Sequence, residues 1–447
     1  ATAALERAAA FRSAEIGSTR ATAAAPAAMQ MQGLANPFAR AGAGNGSGGT
    51  ALASAGPADP VLRQIRTEAE ALRNETATLL SGAASVRTRS GDDGLDGLTE
   101  FGATFQAEVS PGALGGRLAA SVQPVTIDSG SPSASVQALR RYGTNVLDTN
   151  IAANAAGIAS RRDTSASGVA LALNYVRRDW LKLDIGTTPL GFRRTNVVGG
   201  IEISPAITDN LRVRVAGERR AVTDSLLSWA GAVDDRTGVT MGPVVRTGGR
   251  AQVEIPIGRG YAYAGGGYAT FQGENVESNT RIEAGAGVSL PLYRSTAGEL
   301  TGGVDLVYFS YDKNLRYFTL GHGGYFSPQE YMAFNVPVDW RGRVGNVAYR
   351  LGATAGYARY REDRAPFFPG DAGLQAQAEA LATSSAGSTT PATAFYAGQT
   401  QSGFVGGLRA EVDWSITPDL SLIGALRYDK AADFDETRVL MRLQNRF

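Results

Sequence analysis

The 447-residue sequence contains no cysteine and a single histidine, His322. Disulfide, thiolate, iron–sulfur and the usual zinc chemistries are thereby excluded, and a Ser-His-Asp triad would have to be built around that one imidazole. No sign of charge dominates: 43 Lys and Arg stand against 42 Asp and Glu, so there is no basic excess to neutralise a phosphate backbone, and nucleic acid is not expected as a partner. No run reaches the roughly 18 consecutive apolar residues of a membrane-crossing helix. That leaves a membrane β-barrel open. The N-terminus has no charged region followed by an apolar stretch, so an exported chain would here be a mature or truncated form. What is abundant is glycine, 56 residues without a Gly-X-Y period, which excludes collagen and asks for another reason.

Composition divides the chain into three parts. Residues 1–56 are Ala/Gly/Ser-rich and read as a largely disordered linker, with Gly42–Gly49 as its extreme. Residues 57–81 carry a helix signal: Asp59 as N-cap, Pro60 at the first helical position, and Val61, Leu62, Ile65, Leu72, Leu79 and Leu80 at mostly helical spacing. From 82 to 447 the hydrophobic period is two. Phe101, Ala103, Phe105, Ala107 and Val109 alternate with Gly102, Thr104, Gln106 and Glu108, and Leu408, Ala410, Val412 and Trp414 alternate with Arg409, Glu411 and Asp413.

A sandwich and a membrane barrel share this pattern, and three features favour the barrel. The alternating segments are about 9 to 14 residues long, enough to cross a bilayer at a tilt. Aromatics near strand ends (Tyr261, Tyr263, Tyr349, Tyr357, Trp414, Tyr428) suit an outward interfacial girdle. The last alternating segment closes on Phe447, similar to the assembly signal of outer-membrane barrels. Connections also alternate short and long, giving about sixteen antiparallel strands with both barrel ends on the periplasmic side and the long loops outside. The expected fold is therefore an all-β transmembrane barrel behind a short linker and helix. Inward glycines would make room in its lumen.

Strand parity places Lys182, Asp184, Arg350, Arg409 and Glu411 on the inner wall among charges of both signs, which argues against an anion-selective pore. Trp180, Tyr268, Phe309, Tyr311, Tyr331 and Tyr360 share that parity and are candidate platforms for sugar rings. The acidic pairs Asp92-Asp93, Asp234-Asp235 and Glu362-Asp363 lack the spacing of a calcium loop and read as solvated turns. No metal or cofactor is expected, and the absence of a phosphate-binding loop means that any work is supplied from elsewhere.

Five segments carry a more specific signal: Asp184–Phe192, Asp224–Ser228, Glu274–Glu277, Tyr311–Leu315 and, above all, Gly323-Gly324-Tyr325-Phe326-Ser327-Pro328-Gln329-Glu330-Tyr331. In order and spacing, over roughly residues 82–447, they resemble the C-terminal barrel domain of the outer-membrane cellulose export porins, a family of bacterial cellulose synthase components. The resemblance implies an outer-membrane channel exporting cellulose or a similar glucan. It further implies lipid around the barrel and the periplasmic part of the cellulose synthase complex as partner, reached through tetratricopeptide repeats that this sequence lacks apart from one helix at 59–80. All five segments fall in or beside long connections. Thr188, Pro189, Leu190, Phe192, Leu226, Leu227, Trp229 and Gly323, Gly324, Tyr325, Phe326, Ser327 and Pro328 are accordingly candidates for a gate, or for a brace of the barrel rim. A different class of function on the same architecture is a surface lipid hydrolase, with His322 and Ser327 as its conceivable pair, or an adhesin.

Overall fold

The computed structural model of the chain describes residue 38 and residues 77–112, 114–177, 180–295, 298–384 and 393–447. The helix expected at 57–76 lies outside the described residues, as does the linker 1–56 apart from Phe38. Seventeen segments form one sheet, and two of them, Val197–Ile203 and Ala206–Thr208, are halves of a single wall strand interrupted at Ser204-Pro205, which leaves sixteen strands. In chain order these are β1 (Leu79–Arg89), β2 (Leu98–Val109), β3 (Arg117–Asp128), β4 (Ser165–Arg177), β5 (Leu181–Thr187), β6 (the interrupted strand), β7 (Leu211–Ala221) and β8 (Val244–Ile257). They continue as β9 (Gly260–Gly273), β10 (Val276–Arg294), β11 (Gly298–Tyr311), β12 (Glu330–Val344), β13 (Val347–Glu362), β14 (Gln399–Ser415), β15 (Leu420–Lys430) and β16 (Asp435–Arg446).

Each strand pairs antiparallel with its neighbours in sequence, and β16 returns to β1 in unbroken register from Leu79↔Arg446 to Arg89↔Glu436. The sheet has no free edge, so its backbone hydrogen bonds are satisfied internally, as a structure surrounded by hydrocarbon requires. Phe101, Phe105, Val122, Leu171, Ile185, Leu408, Met441 and their like form an exposed apolar outer face. An apolar belt running round all sixteen strands far exceeds what a water-soluble monomer leaves uncovered. Its solvent is lipid.

Leu79, Leu80 and Ser81, expected at the end of a helix, are instead in β1, paired to both β2 and β16. Two adjacent leucines suit either period, and pairing on both sides decides between them. The seven connections at one end of the barrel, from 110–116 to 416–419, are two to seven residues long, and two at the other end, 274–275 and 431–434, are as short. The connections at the other end include 129–164, 188–196, 222–243, 312–329 and 363–398. Helices α1 (Val136–Arg140), α2 (Ile151–Ala159), α3 (Leu226–Ala230) and α4 (Ala372–Ser384) are all in these long connections.

Three expected orientations are reversed in β9. Tyr263 is buried and Tyr268 is 52% exposed, so Tyr261 and Tyr263 face inward and Tyr268 faces outward. The segment Gly260-Tyr-Ala-Tyr-Ala-Gly-Gly-Gly-Tyr268 has small and aromatic residues on both faces, and a slip of one position leaves the pattern almost unchanged.

Candidate functional site: the lumen and its mouth

The inner wall is charged and self-neutralised. The Lys182 ammonium is 3.0 Å from Glu202, and the Arg220 guanidinium binds Asp184 through two nitrogens, one at 2.7 Å. Arg350 and Arg409 both donate to the Asp339 carboxylate, Nε to Oδ1, at 3.2 and 3.0 Å. Glu411 stands opposite Arg350 in the register between β13 and β14. Strand alternation causes this arrangement: once the apolar parity faces lipid, the charged parity of neighbouring strands meets inside, and cross-strand partners cancel. The result is a polar wall without a field of one sign.

Towards the long-connection end, the inward residues become aromatic. Phe309 and Tyr331 stack at 4.4 Å between ring centroids, and Phe271, Tyr311 and Tyr325 form a second group, Tyr325 lying on Phe271 at 5.3 Å and 14°. Phe326 meets Tyr331 and Tyr360 edge to face. Tyr325, Tyr331 and Tyr360 are fully buried. Four of the expected ring platforms, Phe309, Tyr311, Tyr331 and Tyr360, thus face inward but are covered by the mouth segment rather than open to the lumen. The other two are corrected. Tyr268 faces outward, and Trp180 is a half-exposed turn residue at the short-connection end, where strand parity no longer applies.

The mouth is closed over by its own connections. Phe318 and Thr319 pair in parallel with Tyr142 and Gly143. The first pair belongs to the connection after β11 and the second to that after β3, eight strands apart in a ring of sixteen. They therefore leave the wall at opposite sides and meet above the lumen. The connection after β7 crosses as well: the Thr223 carbonyl oxygen accepts from Arg87 Nη2 of β1 at 2.9 Å, and Asp224 Oδ2 accepts from the Phe326 backbone N–H at 3.1 Å. Asp234, read from sequence as a solvated turn, is fully buried, accepting from the Thr144 N–H at 2.9 Å and hydroxyl at 2.7 Å. Its neighbour Asp235 holds Arg162 at 3.2 Å, and burial raises its pKa against the pull of that arginine. Glu362 is likewise buried, 2.8 Å from Arg316. Burial opposes the Arg316 charge, but Glu362 and Asp433 outweigh it and hold its pKa raised. No local pattern marks these ties, because partners 46 to 117 residues away leave no periodicity.

The candidate gate residues divide accordingly. Leu226, Leu227, Trp229 and Phe192 are buried in one apolar cluster with Tyr142, Met241 and Phe318, and Phe192 meets Trp229 edge to face at 5.8 Å. Ser225 caps α3 and donates its hydroxyl to the Gly324 carbonyl at 2.7 Å. Gly324 has φ +64°, and a Cβ there would lie 2.8 Å from Ser225 Oγ and 2.9 Å from the Phe318 ring, so both backbone and space demand glycine. A Cβ on Gly323 would collide with the Tyr325 ring. Buried Pro328 lends its carbonyl to Tyr311 N–H at 2.9 Å, and the Ser327 hydroxyl accepts from Leu315 N–H at 2.8 Å. Thr188 is buried and bonds Asn196 through backbone and hydroxyl at 2.8 Å. Leu190 is exposed and exchanges two backbone hydrogen bonds with Val169 of β4. His322 Nε2 lies 2.9 Å from the Pro366 carbonyl oxygen, and the imidazole stands edge-to-face against the stacked rings of Tyr317 and Tyr396. Ser327 also donates to a backbone oxygen, that of Tyr325. His322 Nε2 and the Ser327 hydroxyl are each engaged with loop backbone and not with one another, which gives no support to a hydrolase pair.

Fold and lumen define a closed, sixteen-stranded membrane β-barrel whose mouth is capped by its own loops. Residues 96–447 match the family described as the cellulose synthase operon protein C C-terminus. The chain is 36% identical over 382 residues to the cellulose synthase 2 operon protein C of Komagataeibacter xylinus, covering 85% of this chain and 28% of that protein. It is 34% identical over 311 residues to the cellulose synthase operon protein C of Xanthomonas axonopodis pv. citri, covering 68% of this chain and 20% of that protein. The chain belongs to this family, and spans under a third of the length of these relatives. Among solved structures, a bacterial polysaccharide outer membrane secretin is similar with a TM-score of 0.48 at 12% identity, over 83% of this chain and 99% of that one.

Proposed function

We propose that this chain is an outer-membrane channel that passively passes a nascent neutral polysaccharide, cellulose or a similar glucan, from periplasm to cell surface. In this reading the short connections and both barrel ends face the periplasm and the long connections face outward. The relatives' names associate the family with cellulose synthesis. The observation that carries the channel itself is the pairing of neutralised inner wall and capped mouth. A neutral polymer needs polar groups to replace water but no deep electrostatic well, and the cross-strand ion pairs offer that. A channel in an outer membrane must also exclude small toxins when idle, and connections meeting from opposite walls do so.

Tyr325 and Phe326 are the moving parts in this proposal, with Phe309, Tyr311, Tyr331 and Tyr360 as the surface they uncover. Outer-membrane lipid surrounds the wall, and the periplasmic part of the synthase complex delivers the polymer. The experiment is deletion of Gly323–Ser327 in the assembled barrel. Uptake of bulky antibiotics should rise several-fold, and single-channel currents should show weak ion selectivity. Unchanged permeability would reassign the segment as a brace, and strong anion selectivity would contradict the neutral-polymer reading.

A further inference from the structure

The aromatic rings that the wall turns towards the lumen are all on one side of it. Tyr261, Tyr263 and Phe271 are on β9, Phe309 and Tyr311 on β11, Tyr331 on β12 and Tyr360 on β13, each at an inward position of its strand. Among the described residues no strand outside β9–β13 carries an inward ring. Five of these rings gather at the mouth, whereas Tyr261 and Tyr263 stand at the short-connection end, 6.0 Å apart between ring centroids. That end of the arc holds a cavity of about 530 Å³ with Tyr261 in its lining. Across the register Tyr261 faces Ser289, and Ser289 faces Gly303, so nothing large stands beside the ring on β10 and β11 at that level. Charged groups line the cavity on both sides of it, Arg212 and Glu254 from β7 and β8, Glu299 and Arg341 from β11 and β12. Their partners hold them in place: Arg341 Nη2 is 2.8 Å from Glu299 Oε2, and Arg214 Nη2 is 3.0 Å from Glu254 Oε1.

We propose that this cavity is an entry subsite for a β-linked chain of all-equatorial hexopyranoses, which then follows the β9–β13 wall to the mouth; the onward passage rests on the channel reading above. In such a sugar the hydroxyls lie close to the plane of the ring and leave two apolar C–H faces. One face stacks on Tyr261. The hydroxyls at the two edges then meet carboxylates that accept from them and guanidinium groups that donate to them. Because ion pairs already fix those groups, little side-chain freedom is lost when the sugar arrives. A β-linked chain of this kind is a flat ribbon and keeps to one wall along its length. An α-linked chain coils and turns away from it.

Calorimetric binding of cellohexaose to the full-length chain in detergent tests the subsite with the mouth still closed. In barrels that remain heat-modifiable, Tyr261→Ala should weaken binding about tenfold, and Tyr261→Phe should leave it within about twofold, since the ring carries the contact. Gln444→Ala, an inward change at the same end on β16, should also leave it within about twofold. Maltohexaose, an α-linked chain of the same sugar, should bind about tenfold more weakly than cellohexaose. No binding of cellohexaose, or an equal loss in Tyr261→Ala and Gln444→Ala, would overturn the subsite, and equal affinity for the two sugars would overturn its β-linked ligand. If Tyr261→Ala removes the binding while barrels lacking Gly323–Ser327 pass no cellohexaose in liposomes, the channel reading fails and the subsite stands. If those barrels pass cellohexaose and Tyr261→Ala leaves the affinity unchanged, the channel stands and the subsite fails.

Discussion

The Ser225 hydroxyl donates to the Gly324 carbonyl oxygen at 2.7 Å although the two residues are 99 positions apart, and it thereby joins the connection after β7 to the connection after β11. The same hydroxyl oxygen accepts from the Ser228 N–H at 3.2 Å to cap α3. One hydroxyl thus holds both a helix start and a crossing of the mouth. Ser225→Ala should destabilise the mouth by about 2–3 kcal/mol, combining a lost cap with a buried bond left unmade. Antibiotic uptake should increase with the barrel still heat-modifiable in detergent. Unaltered uptake would show that the remaining crossings suffice.

The mouth should weaken in acid through His322. Burial lowers its pKa from about 6.5 to about 4, with backbone hydrogen bonds to Pro366 and Leu315 opposing. When the mouth opens, the imidazole regains its ordinary affinity for protons, so the closed state binds fewer protons than the open one between these values. The stabilisation is therefore complete above pH 6.5 and lost as pH falls through about 4, at most about 3 kcal/mol in all. Protease cleavage within 363–398 should rise between about pH 6 and about pH 4. His322→Gln should flatten the His322 part of that profile, and an identical profile in the variant would assign the effect to carboxylates.

Arg87 lies where the barrel closes on itself. Its Nη2 and Nε reach Glu436 of β16 at 2.9 and 3.0 Å, and its Nη1 reaches Glu100 of β2 at 3.4 Å, all with little exposure. Arg87→Met leaves both Glu100 and Glu436 to Arg438 alone, a loss of about 3–5 kcal/mol for a buried pair broken on one side. The temperature at which the folded species converts to the unfolded one in detergent should fall, with Arg87→Lys in between. An unchanged temperature would mean that water reaches these carboxylates.

Phe447 donates its N–H to the Thr78 carbonyl at 2.9 Å and leaves its ring 70% exposed on the lipid side. Removing Phe447, or Phe447→Asp, should lower the amount of barrel in the outer membrane far more than deleting residues 1–50. Equal amounts would count against the terminal signal.

The wall was legible in the sequence because its cause is local. A strand crossing lipid must alternate, and Phe101 to Val109 or Leu408 to Trp414 show the alternation without reference to any other part of the chain. The sixteen strands follow from the same marks, although two connections expected to be long, near 272–279 and 431–436, are tight turns at 274–275 and 431–434. Face assignment failed where the two faces are chemically alike, at Tyr261, Tyr263 and Tyr268, and where a turn residue was given strand parity, at Trp180.

Which connections meet, and above what, was decided by tertiary structure alone. Closing β16 on β1 makes a ring, and only in a ring do the connections after β3 and β11 come from opposite sides, so that Tyr142 can pair with Phe318. Asp92-Asp93 is the exposed turn it looks like, but in the other two acidic pairs that closure buries Asp234 against Thr144 and Glu362 against Arg316. Alternation is a property of each strand, whereas closure is a property of the set, and the mouth is a consequence of closure.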